Sequence, residues 1–330
     1  PILLRIGAGA VHDGGNKGFG VKVAIIDSGV DDSTSDLATI TGGYDFVNGD
    51  NDPTDDMGHG THVAGTIASL DDGLGVVGVA PDASIYALKV LDSTGSGSFS
   101  NIIAALQWAV DNGIQVTNNS YGSSLNPGSA VEAAFINSAA AGIIHVASAG
   151  NTGNRRGKGN NIGYPSRYAS VIAVAATDTS DDRASFSSIG SALELAAPGV
   201  AINSTVPTGN CELCDASGYL LLNGTSMASP HVTGTVALMI ASGVADIRGV
   251  LHSTADDLGK RGLDSQYGWG LVDTDEAVGA PPPPPPPPDN DSPVVNISSP
   301  VDGSTPVSGA SISFAGSATD TEDDDATLTA

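Results

Sequence analysis

Apolar residues fill short, unbroken stretches along the chain. The clearest are 21–26 (VKVAII), 143–147 (IIHVA) and 171–175 (VIAVA), with looser ones at 84–91 and 114–117. Runs of this length, apolar on both faces and bounded by Gly and polar residues, predict strands buried on both sides. Between them, residues 60–69, 101–112, 129–141 and 225–242 predict helices. Strands alternating with helices imply an α/β fold: three layers, with a doubly wound, mostly parallel sheet covered by helices on both faces. In such sheets the working residues gather just beyond the carboxyl ends of the strands.

The pattern stops near residue 280. Residues 281–288 are eight consecutive prolines. They lack backbone donors and have fixed φ, so they predict a polyproline II rod of about 25 Å. Its place at a sharp change of composition favours a spacer over a ligand for an SH3-type domain. Beyond it, residues 289–330 hold eight acidic residues and no Lys or Arg. Alternating stretches at 294–297 and 312–314, split by Asp302-Gly303-Ser304, predict the opening strands of a small Ig-like β-sandwich. About 40 residues are too few for seven strands, so the module reads as partial. The expected organisation is a domain over 1–280, a linker over 281–288 and a truncated accessory module over 289–330.

Charge narrows the function. The 330 residues carry 37 acidic and 12 basic side chains, a formal net charge of −25. A nucleic-acid or anionic-membrane binder would have a basic footprint instead. The hydrophobic fraction of 40% is too high for a chain disordered throughout. No apolar run approaches the 18 residues of a membrane span. The sequence opens at Pro1 and stops within an acidic tail, which reads as a mature fragment. Its two cysteines, Cys211 and Cys214, are too few for a four-Cys zinc site. Their spacing leaves a redox pair, half of a zinc site and a short disulfide open.

Three residues stand at predicted element ends. Asp27 follows the first strand, and His59 and Ser226 each open a helix. Singly, an Asp after a strand is a turn residue, a Ser before a helix is a cap, and a His between glycines is packing. Together, an acid, an imidazole and a hydroxyl can form a relay of orienter, base and nucleophile.

Their surroundings decide between these readings. Ala24-Ile25-Ile26-Asp27-Ser28-Gly29-Val30, Gly58-His59-Gly60-Thr61-His62-Val63-Ala64-Gly65 and Gly224-Thr225-Ser226-Met227-Ala228-Ser229-Pro230-His231 resemble the three signature blocks of the subtilisin-like serine proteases (subtilases, peptidase family S8), in that family's Asp, His, Ser order. Gly75-Val76-Val77-Gly78-Val79-Ala80-Pro81, Tyr86-Ala87-Leu88-Lys89-Val90-Leu91 and Tyr267-Gly268-Trp269-Gly270-Leu271-Val272 extend the likeness over about 20–278.

The resemblance implies a secreted serine endopeptidase acting on proteins and peptides, made with a propeptide. Asp27, His59 and Ser226 would be its triad, and Asn151 would donate to the oxyanion. His62 and His231 would be packed core histidines. Ser120, Tyr121 and Gly122 would form one edge of the substrate cleft, and Gly95, Gly97 and Phe99 the other. Ser148, Ala149 and Gly150 would wall the primary pocket. Gly163 would floor it, leaving room for a large apolar or aromatic side chain before the cleaved bond. Tyr121 stands where the family usually has Leu. Arg155, Arg156 and Lys158 read as an exposed loop that offsets an acidic body.

Calcium is implied as well, held by the Asp36 and Asp72 side chains and the carbonyls of Leu70, Leu74 and Val76. Asp72 replaces a frequent Asn. For a secreted enzyme, a disulfide is the preferred reading of Cys211 and Cys214, although the family core usually lacks this pair. The accessory module would anchor the enzyme to a surface or an insoluble substrate. The competing expectation, a binding protein on an inactive protease scaffold, would need a lost triad residue, and all three are present.

Overall fold

The structure is a computed structural model that describes residues 2–34, 36–279, 294–299 and 315–319. The chain divides into two compact units, Pro1–Pro282 and Pro283–Ala330.

The first unit begins with two short helices, α1 (Ile2–Arg5) and α2 (Ala8–Asp13). The alternation then sets in: β1 (Lys22–Asp27), β2 (Gly42–Asp45), α3 (His59–Ala68), β3 (Ser84–Lys89), α4 (Phe99–Asp111), β4 (Val116–Asn119), α5 (Ser129–Ala140), β5 (Ile144–Ser148), β6 (Val171–Thr177) and β7 (Leu195–Pro198). A small ribbon of β8 (Ile202–Thr205) and β9 (Tyr219–Leu222) precedes the long helix α6 (Thr225–Ala241). Helices α7 (Ile247–Thr254) and α8 (Thr274–Gly279) follow.

The seven-stranded sheet has the order β2-β3-β1-β4-β5-β6-β7, and every pair in it is parallel. From β1 the chain goes to the edge strand β2, returns to β3 beside β1, and then crosses to β4 on the other side of β1, from where it runs outward to β7. The switch point therefore lies at the carboxyl ends of β1 and β4, where doubly wound sheets open a crevice.

Strand alternation builds the two cores. Val23 and Ile25 of β1 enter one core with Val63 and Ile67 of α3 and Val232 and Val236 of α6. Ala24 and Ile26 enter the other with Ile102 and Leu106 of α4 and Val131 and Phe135 of α5. Helix α6 is buried on nearly every side and packs against α3 and β4 through β7. Its small residues allow that all-round fit.

The strands and helices expected from the apolar pattern are present, with ends shifted by one or two residues. Strands β2 and β7 and the β8–β9 ribbon were not foreseen. Among the described residues of the second unit, β10 (Val294–Ser299) pairs antiparallel with β11 (Ala315–Thr319). The polyproline stretch 281–288 and the strand expected at 312–314 lie outside the described residues.

Candidate active site

Asp27 closes β1 and is fully buried. Its Oδ1 accepts hydrogen bonds from Ser28 N and from His59 Nδ1, both at 2.8 Å. A carboxylate only accepts, so Nδ1 carries the proton, and Nε2 of the neutral ring is left with a free lone pair. Burial alone would lower the imidazole pKa. The charge and hydrogen bond of Asp27, with Asp55 behind, outweigh it and hold His59 above the ordinary histidine value.

The backbone around His59 is fixed by residues that the apolar pattern did not single out. Gly58 caps α3 with φ 100°, and a Cβ there would come within 2.7 Å of the Leu213 carbonyl. Glycine meets both demands. Buried Asp55 accepts from Ser28 Oγ, Met57 N and Gly58 N on one oxygen, and from Thr61 N and Thr61 Oγ1 on the other. One carboxylate thus ties the end of β1 to the first turn of α3, where the helix has unpaired N–H groups. Lys89, 1% exposed, donates to the Ser28 and Leu91 carbonyls and to Asp56.

Ser226 is the second residue of α6. Pro230, four residues on, has no N–H to give to the Ser226 carbonyl. Ser120 Oγ takes the vacant acceptor at 2.8 Å. Asn118 holds Ser120 Oγ in turn, and accepts from Ser229 and Thr233 of α6. The helix that carries Ser226 is thereby docked on the end of β4. The relay expected from the sequence is only partly drawn. Ser226 Oγ donates to the Ser120 carbonyl at 3.0 Å rather than to His59. Bonds of this kind are commonly long or turned aside without substrate.

Asn151 Oδ1 accepts from Thr225 N and Thr225 Oγ1, which leaves its amide nitrogen free to donate. An atom at the Gly224 Cβ position would lie 3.4 Å from Asn151 Nδ2 and 3.5 Å from Ser226 N. The two nitrogens therefore flank one point beside Ser226.

A cleft of about 370 Å³ runs from Met57 and His59 past Gly95, Gly97 and Phe99 to Ser120, Tyr121 and Gly122. Both expected edges thus line it. An antiparallel bridge joins Ser123 to Tyr164. Gly163 N donates to the Ala149 carbonyl at 3.0 Å, and Gly150 N to Thr225 Oγ1 at 3.1 Å. The expected floor and wall of the primary pocket are therefore tied to each other and to α6. Ser148 is buried, and its carbonyl accepts from Ser166 Oγ.

The model of the subtilase family matches residues 18–270. Subtilisin DY of Bacillus licheniformis is 47% identical over 277 residues, covering 82% of this chain and 96% of the relative. The chain belongs to the subtilase family. Subtilisin Savinase of Lederbergia lenta is 45% identical over 279 residues, covering 83% of this chain and 97% of its own. Subtilisin E of Bacillus subtilis strain 168 is 46% identical over 280 residues, covering 83% and 70%.

Two further histidines of this subtilase lie in the core. His62 Nε2 bonds to the Ile202 and Leu220 carbonyls, and burial lowers its pKa to about 4. His231 Nδ1 donates to the Met227 carbonyl, and burial lowers it to about 4 as well. Cys211 and Cys214 are joined by a disulfide. Their loop sits on the carbonyl of Met57, which accepts from Leu213 N at 2.9 Å. Arg155, Arg156 and Lys158 are exposed.

The loop 70–76, where calcium is expected, packs beside Asp36. Among the described residues no three His, Cys, Asp or Glu side chains gather as a metal cage, so carbonyls would have to complete a site. Asp36 is 2% exposed, with Oδ2 accepting from Val76 N and Oδ1 without a partner among the described residues. Burial raises its carboxyl pKa. A buried carboxylate with an unused oxygen fits a cation.

Proposed function

We propose that this subtilase is a secreted serine endopeptidase, with Asp27, His59 and Ser226 as its triad. The observation that carries the reading is the 2.8 Å bond from His59 Nδ1 to buried Asp27, on a cleft whose other edge, Ser120, is bonded to Ser226 at a helix start with two donor nitrogens near it. An extended peptide would add its backbone along Ser120-Tyr121-Gly122 and Gly95-Ser96-Gly97, as a strand joins a sheet edge. Main-chain binding of this kind favours broad protein substrates. The open position at Gly163, walled by Ser148, Ala149 and Gly150, favours a large apolar or aromatic residue before the cleaved bond.

In the reaction, Ser226 Oγ turns from the Ser120 carbonyl and attacks the peptide carbonyl. His59 Nε2 takes its proton and returns it to the leaving amine. Asp27 fixes the tautomer and offsets the charge of the imidazolium. The oxyanion sits between Asn151 Nδ2 and Ser226 N. Water, deprotonated by His59, then releases the acyl group. A fluorophosphonate reacts only with an activated serine, so stoichiometric labelling at Ser226 is expected. Absence of labelling in folded protein would instead mark an inactive scaffold.

Asn151→Ala is expected to keep the fold and lower kcat by about 10²–10³, a magnitude measured in this family rather than obtained from the present geometry. Steady-state kinetics on a peptide anilide would decide it, and unchanged kcat would remove Asn151 from the oxyanion site.

Asp36, Asp72 and the carbonyls of Leu70, Leu74 and Val76 would hold a calcium ion. The ion would supply structural charge balance for buried Asp36. Anything that binds only the folded state stabilises it by about 2.7 kcal/mol at a hundredfold excess over Kd. Chelator is therefore expected to lower Tm and speed autolysis, with calcium restoring both. A Tm indifferent to chelator and calcium would count against the site.

A further inference from the structure

The first strand after the switch point carries a buried polar chain that the proposed reaction does not use. Tyr121 OH donates to Asn119 Oδ1 at 2.9 Å. Asn119 Nδ2 donates to Thr117 Oγ1 at 2.9 Å and to the Val146 carbonyl at 3.1 Å. Thr117 Oγ1 and His145 Nδ1 are 2.7 Å apart, and His145 Nε2 and Ser138 Oγ 2.8 Å. Ser138 Oγ donates to the Ala134 carbonyl at 2.7 Å. Asn119 and Thr117 are fully buried, His145 is 1% exposed and Ser138 2%.

The donors settle the direction. Ser138 gives its one proton to the Ala134 carbonyl, so His145 Nε2 must donate to it, and the remaining lone pair on Nδ1 accepts from Thr117 Oγ1. His145 is then the Nε2–H tautomer. Every link points the same way and every donor is used. A fully satisfied buried network of this kind is rigid, whereas removing one member leaves costly orphans. Burial lowers the His145 pKa to about 3, in keeping with a ring that stays neutral.

What the chain joins gives it a purpose. At one end is Tyr121, which lines the cleft and whose hydroxyl is held by Asn119. At the other is α5, which contributes Val131 and Phe135 to the lining of the same cleft. The His145 ring also meets Phe135 edge-on, with centroids 5.1 Å apart. His145 of β5 thus links β4 to α5, and through them residues that line the cleft from both elements.

Resting on the endopeptidase reading, we propose that His145 is a positioning residue for specificity: through Thr117, Asn119 and Tyr121 on one side and Ser138 and Phe135 on the other, it fixes the width of the distal apolar pocket and so selects large apolar side chains of the bound peptide upstream of the cleaved bond. Tyr121 lines the pocket but spends its hydroxyl proton on Asn119, so that proton is not offered to the substrate.

The test compares peptide anilides that share one residue before the cleaved bond and carry Phe or Ala at the second, third or fourth position before it. In the wild type, one of these positions shows the largest Phe-to-Ala ratio of kcat/KM. His145→Val is expected to cut that ratio roughly tenfold, the scale on which an apolar pocket discriminates. His145→Gln keeps an acceptor and a donor and is expected to restore most of it. Thr117→Val, close in shape, breaks one link and serves if His145→Val does not fold. Binding of the same peptides to the Ser226→Ala protein, measured by calorimetry, reads the ratio without turnover. Selective binding that His145→Val abolishes supports the proposal even if the wild type proves inactive, an outcome that would sink only the endopeptidase reading. Variants that keep the wild-type ratio, or that weaken all peptides by one factor, overturn it.

Discussion

Ser226→Ala is expected to lower kcat by about 10⁶, the loss seen when the nucleophile is removed from a subtilisin, and to abolish fluorophosphonate labelling. The fold should survive. The Ser226 side chain makes one hydrogen bond, to the Ser120 carbonyl, and is half-buried at the start of α6. Alanine is the best helix former, and the docking of α6 rests on the Ser226 carbonyl, which the substitution leaves in place. Residual turnover of about 10³–10⁴ over water should persist, because Asn151, the Ser226 N–H and the cleft still bind and polarise the peptide. Circular dichroism and a melt would establish folding, and single-turnover kinetics the rate. A variant retaining a substantial share of wild-type kcat would show that Ser226 is not the nucleophile.

Asp27→Asn is expected to cost about 10⁴ in kcat, because an amide can impose the wrong imidazole tautomer while leaving the geometry intact. It carries a second signature in pH. In the wild type, burial pushes His59 down, but Asp27 and then Asp55 push it up further, so its pKa is raised. The base works only when neutral, so kcat/KM should climb as pH rises through that raised value. Without the Asp27 charge, burial is opposed far less, and the acid limb of the profile should move to lower pH. An unmoved limb would mean that another group governs it. The two readouts are independent, since lost turnover alone could follow from local misfolding whereas a displaced limb could not.

Much of the fold was legible in one dimension because its central strands are buried on both faces. Runs such as 171–175 leave little choice but a sheet covered by helices. The site was legible for another reason: its three blocks are local, and each holds its residue on a single turn. What escaped notice lacks both properties. Strand β2, Gly42-Gly43-Tyr44-Asp45, is half-buried at the sheet edge and has no apolar run. Asp55 and Lys89 look like solvent-facing charges, and their partners at Ser28, Asp56 and Thr61 meet them only after folding. The one signal for Asp55 was an acid just ahead of a helix start, where N–H groups want a cap. His145 is a polar letter inside an apolar run, and its two hydroxyl partners come from segments 28 and 7 residues away.

Helix α6 has a consequence for timing. It threads the middle of the molecule and leans on α3 and on four strands, yet it is among the last long pieces of this unit to be synthesised. The serine at its tip reaches its place against the end of β4 only once that helix is seated. If Ser226 is the nucleophile proposed above, a half-made chain has no cutting edge, and the capacity to digest neighbours arrives together with the compactness that shields the molecule from being digested itself.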